Sequence, residues 1–302
     1  MLNLIKTTTP AAHINASFNR SLSMSTFATH TFIVKDEFEL IKSATDYPLE
    51  RAEDGWISGH FYRCKLTSAF QPILNTAQNK TIGHIAYNRS ESNGEIALSP
   101  WKIFAQAAND EQLVNLDRLC RAIHALNYFK KTSSSNQLFV SVHPRLLKSI
   151  KTDHGRAFED FLNLIAVKTS RVTIEIPSII NHDWELLQKV ISNYRSRGYQ
   201  IAVNYSGLSS DSMSELGSLY PDIVRITAYD LLRHQAIDTL IRTIHYFGAK
   251  LLVWNIGSFD QLATAKRAGA DYLQGDYLSG PARAINTISP QLIQEILYAE
   301  LA

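Results

Sequence analysis

Only two cysteines occur in 302 residues, Cys64 and Cys120, far apart and without CxxC spacing. The simple reading is a reduced intracellular protein, placed in the cytoplasm. No apolar run approaches the roughly 18 residues of a membrane span, so no membrane partner is expected. Charge of one sign is also lacking: 30 Lys and Arg against 28 Asp and Glu leave +2. No basic run exceeds Lys130-Lys131, which argues against nucleic acid as a partner. The 10 histidines include no HxxxH or HExxH pairing, so His84 and His143 read as lone polar residues. A glycine-rich phosphate loop is absent, and Ser206-Gly207 lacks the GxSxG surroundings of a hydrolase elbow. Residues 1–30 hold no Asp or Glu and many Ser, Thr, Ala and Asn. A transit peptide shares that bias and Met24 is an alternative start; we read the stretch as a flexible segment.

What is present is alternation. Residues 31–59 read as a small N-terminal extension packed on a main domain, 60–302. Within that domain, strand-like runs fall at 61–66, 68–74, 81–88, 138–142, 172–176, 200–204, 222–227, 250–254 and 271–274. Helix-like runs fall at 102–109, 111–131, 156–169, 183–197, 211–219, 229–247, 258–268 and 289–301. Residues 251–283 show the unit most clearly: an apolar strand, a helix carrying Leu262, Ala265 and Ala268 on one face, and Gly269 to stop it. Alternation of this kind implies a parallel sheet with helical crossovers, and its extent fits a βα barrel of about 250 residues. The paired opening strands make that barrel irregular. Functional groups then belong at the C-terminal strand ends. Those ends offer Tyr87, Asn88, Arg89, Ser141, His143, Glu175, Asn204, Tyr205, Arg225, Thr227, Trp254, Asn255 and Gln274. A single carboxylate stands among them, too few for magnesium, manganese or two-metal hydrolysis.

The chain resembles the EAL family, bacterial cyclic di-GMP phosphodiesterases with a modified TIM-like (β/α)8 barrel. Phe70-Gln71-Pro72-Ile73 matches the family's FQPI opening, and Gly83 a family glycine. Ile85-Ala86-Tyr87 then stands where Glu-Ala-Leu belongs, followed by Asn88 and the family arginine as Arg89. Leu116-Asp117-Arg118 looks like the family's LDR, and the 139–145 stretch like its VNLSPR segment. Ile174-Glu175-Ile176 is similar to the strand carrying a family glutamate. Residues 202–207 sit where ALDDFG belongs, 221–226 where PVDxLKID belongs, and 253–258 where AEGVET belongs. Gln274-Gly275-Asp276-Tyr277 and Pro281 match the QGYxFxxP ending.

The resemblance implies a fold and, through its departures, a lost activity. The signature glutamate becomes Ile85, and the metal-binding asparagine becomes Ser141. Asn204 and Tyr205 replace two aspartates, Arg225 the catalytic lysine, and Trp254 and Gly257 two glutamates. Glu175 alone keeps its type. The expectation is a degenerate, non-enzymatic EAL-like regulator without metal or other cofactor, acting through an unidentified protein partner. The alternative is a cyclic di-GMP receptor without turnover, using Arg89, Asp117, Trp254, Gln274, Tyr277 and Pro281; residual phosphodiesterase activity is the remote one. Three structural expectations follow. Ile85, Tyr205 and Trp254 fill the emptied metal cavity with apolar bulk. Arg89 pairs with Asp117 unless it holds a phosphate or guanine. Glu175, without its family partners, stands as a hydrogen-bonded remnant.

Overall fold

The computed structural model describes residues 36–91, 99–149, 153–177, 184–206, 211–233 and 237–298. The expectation for residues 1–30 lies outside them. From the front come α1 (Glu37–Thr45), β1 (Leu49–Arg51), β2 (Ile57–Phe61), β3 (Cys64–Asn75) and β4 (Lys80–Glu91). Next are α2 (Pro100–Ala105), α3 (Asp110–Phe129), β5 (Gln137–Ser141), α4 (Pro144–Ser149), α5 (Arg156–Leu164) and β6 (Val172–Ile176). There follow α6 (Trp184–Ser196), β7 (Gln200–Asn204), α7 (Asp211–Ser218), β8 (Ile223–Thr227), α8 (Ala228–Arg233) and α9 (Ile237–Tyr246). The last are β9 (Lys250–Trp254), α10 (Phe259–Arg267), β10 (Tyr272–Leu273) and α11 (Pro290–Tyr298).

The strands β3 to β10 close into a barrel of mixed direction, with β1 and β2 added along β3. β3 runs antiparallel to both β4 and β10, while the remaining neighbours from β4 round to β10 are parallel. This is the modified TIM-like barrel with an additional N-terminal region. The two opening runs read at 61–66 and 68–74 are instead the end of β2, a turn at Tyr62 (φ 53°), and one long β3. The turn from β3 to β4 is set by asparagines. Asn75 Oδ1 accepts from the Gln78 amide at 2.9 Å, and Asn79 takes φ 49°, which asparagine tolerates. The helical run at 229–247 divides into α8 and α9, with 234–236 outside the described residues.

α3, the longest helix described, is capped reciprocally. Asn109 Oδ1 accepts from the Gln112 amide, and Gln112 Oε1 accepts from the Ala108 amide, both at 2.9 Å. It buries Leu113, Leu116, Cys120 and Ile123 against the barrel wall. Phe38 and Ile41 of α1, Leu49 of β1 and Trp56 are buried in the same outer core. α10 starts on a Ser258 cap and is followed by Gly269 at φ 79°, the left-handed position expected of it. Among the described residues no helix is long and apolar enough to cross a membrane.

Inside the barrel, Ile73, Ile85, Phe139, Ala202, Ile223 and Leu252 form one apolar layer. Ile85 belongs to this layer, with Tyr87 and Trp254 packed against it. Side chains on a strand return to the same face every second residue. One such step beyond this layer gives Gln71, Tyr87, Ser141, Asn204, Arg225 and Trp254, and the same step from Thr173 and Tyr272 adds Glu175 and Gln274 to the ring. On β3 that step runs backwards, because the strand is antiparallel.

Candidate functional site

The second ring is a hydrogen-bonded belt. Ser141 Oγ donates to Glu175 Oε2 at 2.6 Å, and Asn204 Nδ2 donates to Glu175 Oε1 at 3.2 Å. Arg225 forms an ion pair with Glu175 and donates through Nη1 to Asn204 Oδ1 at 3.0 Å and through Nη2 to Gln274 Oε1 at 3.1 Å. Gln274 Nε2 donates to Gln71 Oε1 at 2.8 Å and to the Tyr87 hydroxyl at 2.9 Å. The Tyr87 hydroxyl donates to Gln71 Oε1 at 3.1 Å, and Gln71 Nε2 donates to Asp276 Oδ1 at 2.9 Å. One chain of bonds thus joins β3 to β8 with Gln274, the residue just past β10.

Arg225 is the belt's centre. It is 1% exposed, Glu175 is 6% exposed, and the Trp254 ring lies 5.0 Å from the guanidinium carbon. Burial pushes the guanidinium down to about 10, which still leaves a cation at neutral pH. The abutting Glu175 carboxylate holds it in that state. Of the expected apolar fill, Trp254 stands at the mouth, and the belt occupies the rest of it. A buried charge is tolerated only when it is paired and hydrogen-bonded, and the belt supplies both. Glu175 is hydrogen-bonded, as expected of it, and carries in addition an ion pair with Arg225. Tyr205, 8% exposed, packs its ring in the outer helical core, while its amide donates to the Arg225 carbonyl at 2.7 Å.

Beside the belt opens a pocket of about 430 Å³, running from the barrel mouth under α2 and α3. Of the sequence-predicted nucleotide contacts, Asp117 and Trp254 line it. Arg89 does not: it lies 5.6 Å over the Tyr87 ring and donates to the Asn88 carbonyl at 3.3 Å. Asp117 pairs instead with Arg121, one helical turn on, at 2.6 Å, so the Arg89–Asp117 pair is not formed. Gln274 is buried within the belt, and Tyr277 and Pro281 are half-buried outside the described lining. Gly257 is exposed, its amide donating to Gln261 Oε1 at 2.7 Å. Gly275 is required by close packing, since a Cβ there would meet the Ile256 carbonyl oxygen at 2.2 Å.

Sequence reasoning missed Gln71, Arg121 and His124. Gln71 lies on the one barrel strand that runs antiparallel to both its neighbours, so a search of C-terminal strand ends passes it by. Arg121 was available from its i,i+4 spacing to Asp117. His124 accepts or donates through Nδ1 to Ser68 Oγ at 2.7 Å and lines the pocket.

Burial, aided by Arg121, pulls His124 down to about 3 from an ordinary value of 6.5. The folded protein keeps it neutral while the unfolded chain protonates near 6.5. Stability is therefore whole above that value and falls on acidification through the window down to about 3. From about pH 7 to about pH 4.5 the expected loss is about 2–3 kcal/mol from this residue. Chemical denaturation across that range checks it, with a flatter profile expected for His124→Gln.

A family model for the EAL domain matches residues 55–281. The uncharacterized EAL-domain containing protein YkuI of Bacillus subtilis (strain 168) is 28% identical over 228 residues, which cover 70% of this chain and 54% of that protein. This chain thus spans about half the length of that curated relative. The crystal structure of YkuI in complex with c-di-GMP and calcium matches with a TM-score of 0.67 at 24% identity, over 78% of this chain and 61% of that one. A standalone EAL protein from Vibrio cholerae O395, in its c-di-GMP-bound form, matches at 0.64 and 19% identity, over 75% of this chain and 96% of that one. The FimX EAL domain of Xanthomonas citri in complex with c-diGMP matches at 0.56 and 20%, over 73% and 89%. At such identities these likenesses carry the fold. Together with a family match over most of the length, they lead to one conclusion: the chain belongs to the EAL domain family.

Proposed function

We propose that this protein is a non-hydrolysing EAL domain that acts in cyclic di-GMP signalling through contacts with a protein partner. The relation to cyclic di-GMP rests on the relatives, whose structures hold that nucleotide. One observation carries the loss of turnover: the buried Arg225 guanidinium sits against Glu175 at the mouth. Both Glu175 oxygens are engaged, by Ser141, Asn204 and Arg225. The residues present do not fit a divalent cation, because Glu175, the one carboxylate on the described ring of strand-end side chains, is neutralised and a fixed positive charge stands beside it. Without a metal, nothing among the described residues of the mouth would acidify an attacking water, and arginine is a poor general base. Exposed Tyr229 and Leu232 on α8 and Phe259 at the start of α10, two helices packed together, supply apolar surface for a partner.

The test is incubation with cyclic di-GMP and magnesium or manganese. Linear dinucleotide at the level of buffer alone is expected; linear product above it overturns the reading. A second reading, a receptor without turnover, is favoured by the pocket carrying Asp117 and Trp254. Calorimetric titration separates the two. Micromolar heat independent of magnesium supports the receptor, and no heat supports the interaction module.

A further inference from the structure

The pocket beside the belt carries more than its position. Its volume of about 430 Å³ lies within the range of small-molecule sites. Ala86, Phe104, Cys120, Val140, Val142 and Trp254 give it apolar walls. Phe104 stacks on His143, ring centres 4.7 Å apart at 13°, forming a flat aromatic side.

Its charges cancel within the protein. Among the described lining residues the formal charges are Asp117, Arg121 and Glu175. Asp117 and Arg121 neutralise each other, and Glu175 is neutralised by Arg225. Burial depresses His143 and His124, which are neutral at pH 7. The described lining contains no lysine, and Arg89 lies outside it. An anion entering here would lose its hydration and meet, among the described lining residues, only the Arg121 guanidinium already paired with Asp117, a costly exchange. An uncharged aromatic molecule would lose little hydration and gain the apolar walls.

We propose that this pocket binds an uncharged, largely apolar aromatic small molecule, and that such a molecule, not a dianionic dinucleotide, is its ligand class. The inference rests on the non-hydrolytic interaction-module reading, in which Arg225 is committed to Glu175; the receptor reading would put the dinucleotide in the same pocket, and micromolar heat with cyclic di-GMP would overturn the inference. Hydrolysis is assayed separately, so linear product would overturn that reading, whereas failure of the ligand test overturns only this one.

The test uses the full chain labelled with 5-fluorotryptophan and followed by fluorine NMR, with indole as the neutral probe and indole-3-acetate as its anionic counterpart. The Trp254 line is assigned by its loss in Trp254→Phe. Indole should shift that line saturably, with indole-3-acetate weaker by about tenfold or more. Ala86→Leu, which fills the pocket, should abolish the shift while the Trp56 line stays in place as a reporter of the fold. Should that variant fail to fold, Asn88→Phe at the rim serves the same purpose. No saturable shift with indole overturns the proposal. So does equal affinity for the acetate, or a filled pocket that binds indole as before.

Discussion

Glu175→Ala is expected to unfold at a much lower denaturant concentration than the parent protein, losing about 3–5 kcal/mol of stability. The reason is electrostatic. The substitution leaves the Arg225 guanidinium, 1% exposed, with Asn204, Gln274 and the Trp254 ring as its neighbours and no counter-charge. Its Nε already lacks a partner among the described residues. A lone cation at that depth keeps its desolvation cost and loses the attraction that offset it. Glu175→Gln should fall between, because the amide oxygen still accepts from Ser141 or Arg225 but brings no charge. Glu175→Leu combined with Arg225→Met should recover most of the loss, since an apolar pair of like volume often replaces a buried ion pair at little cost. A single-variant loss below about 1 kcal/mol, the range of exposed pairs, would mean the mouth is wetter than the geometry indicates.

The second large effect belongs to α3. Asp117→Ala removes the partner of Arg121, which is 4% exposed and lies 5.5 Å from the Phe158 ring and 6.0 Å from Tyr194. Arg121 Nη1 is already buried without a hydrogen bond among the described residues. Losing the 2.6 Å bond to Asp117 strands the guanidinium among aromatics, at an expected cost of about 3–5 kcal/mol. The double variant Asp117→Ala with Arg121→Leu should return most of that. Arg89→Ala is the informative control. It removes the arginine that motif matching paired with Asp117, yet it should change the stability by no more than about 0.5 kcal/mol. If Arg89→Ala cost as much as Asp117→Ala, the pairing read from the structure would be wrong.

Most of the barrel is legible in the sequence, because alternating apolar strands and amphipathic helices are local patterns. Val172–Ile176, Gln200–Asn204 and Lys250–Trp254 emerge from it with both ends correct. The opening does not. β2, the Tyr62 turn and the uninterrupted β3 depend on pairing that spacing alone does not reveal, and β3 meets Tyr272 and Leu273 of β10 near its far end. The site divides the same way. That Ser141, Glu175, Asn204, Arg225 and Trp254 stand at or near strand ends is a matter of register and can be read. What each side chain touches cannot.

By itself the sequence determined the family, the barrel, and the scarcity of carboxylates at the mouth, all consequences of residue type at a given spacing. Only the tertiary structure decided how that scarcity is resolved. Arg225 turns inward to Glu175, Ile85 lies a layer below, Tyr205 packs on the outer side, and Asp117 takes Arg121 in place of Arg89. The physical reason is that a buried charge takes the partner that closure of the barrel brings within reach. Closure joins strands up to about two hundred residues apart, as between Gln71 and Gln274.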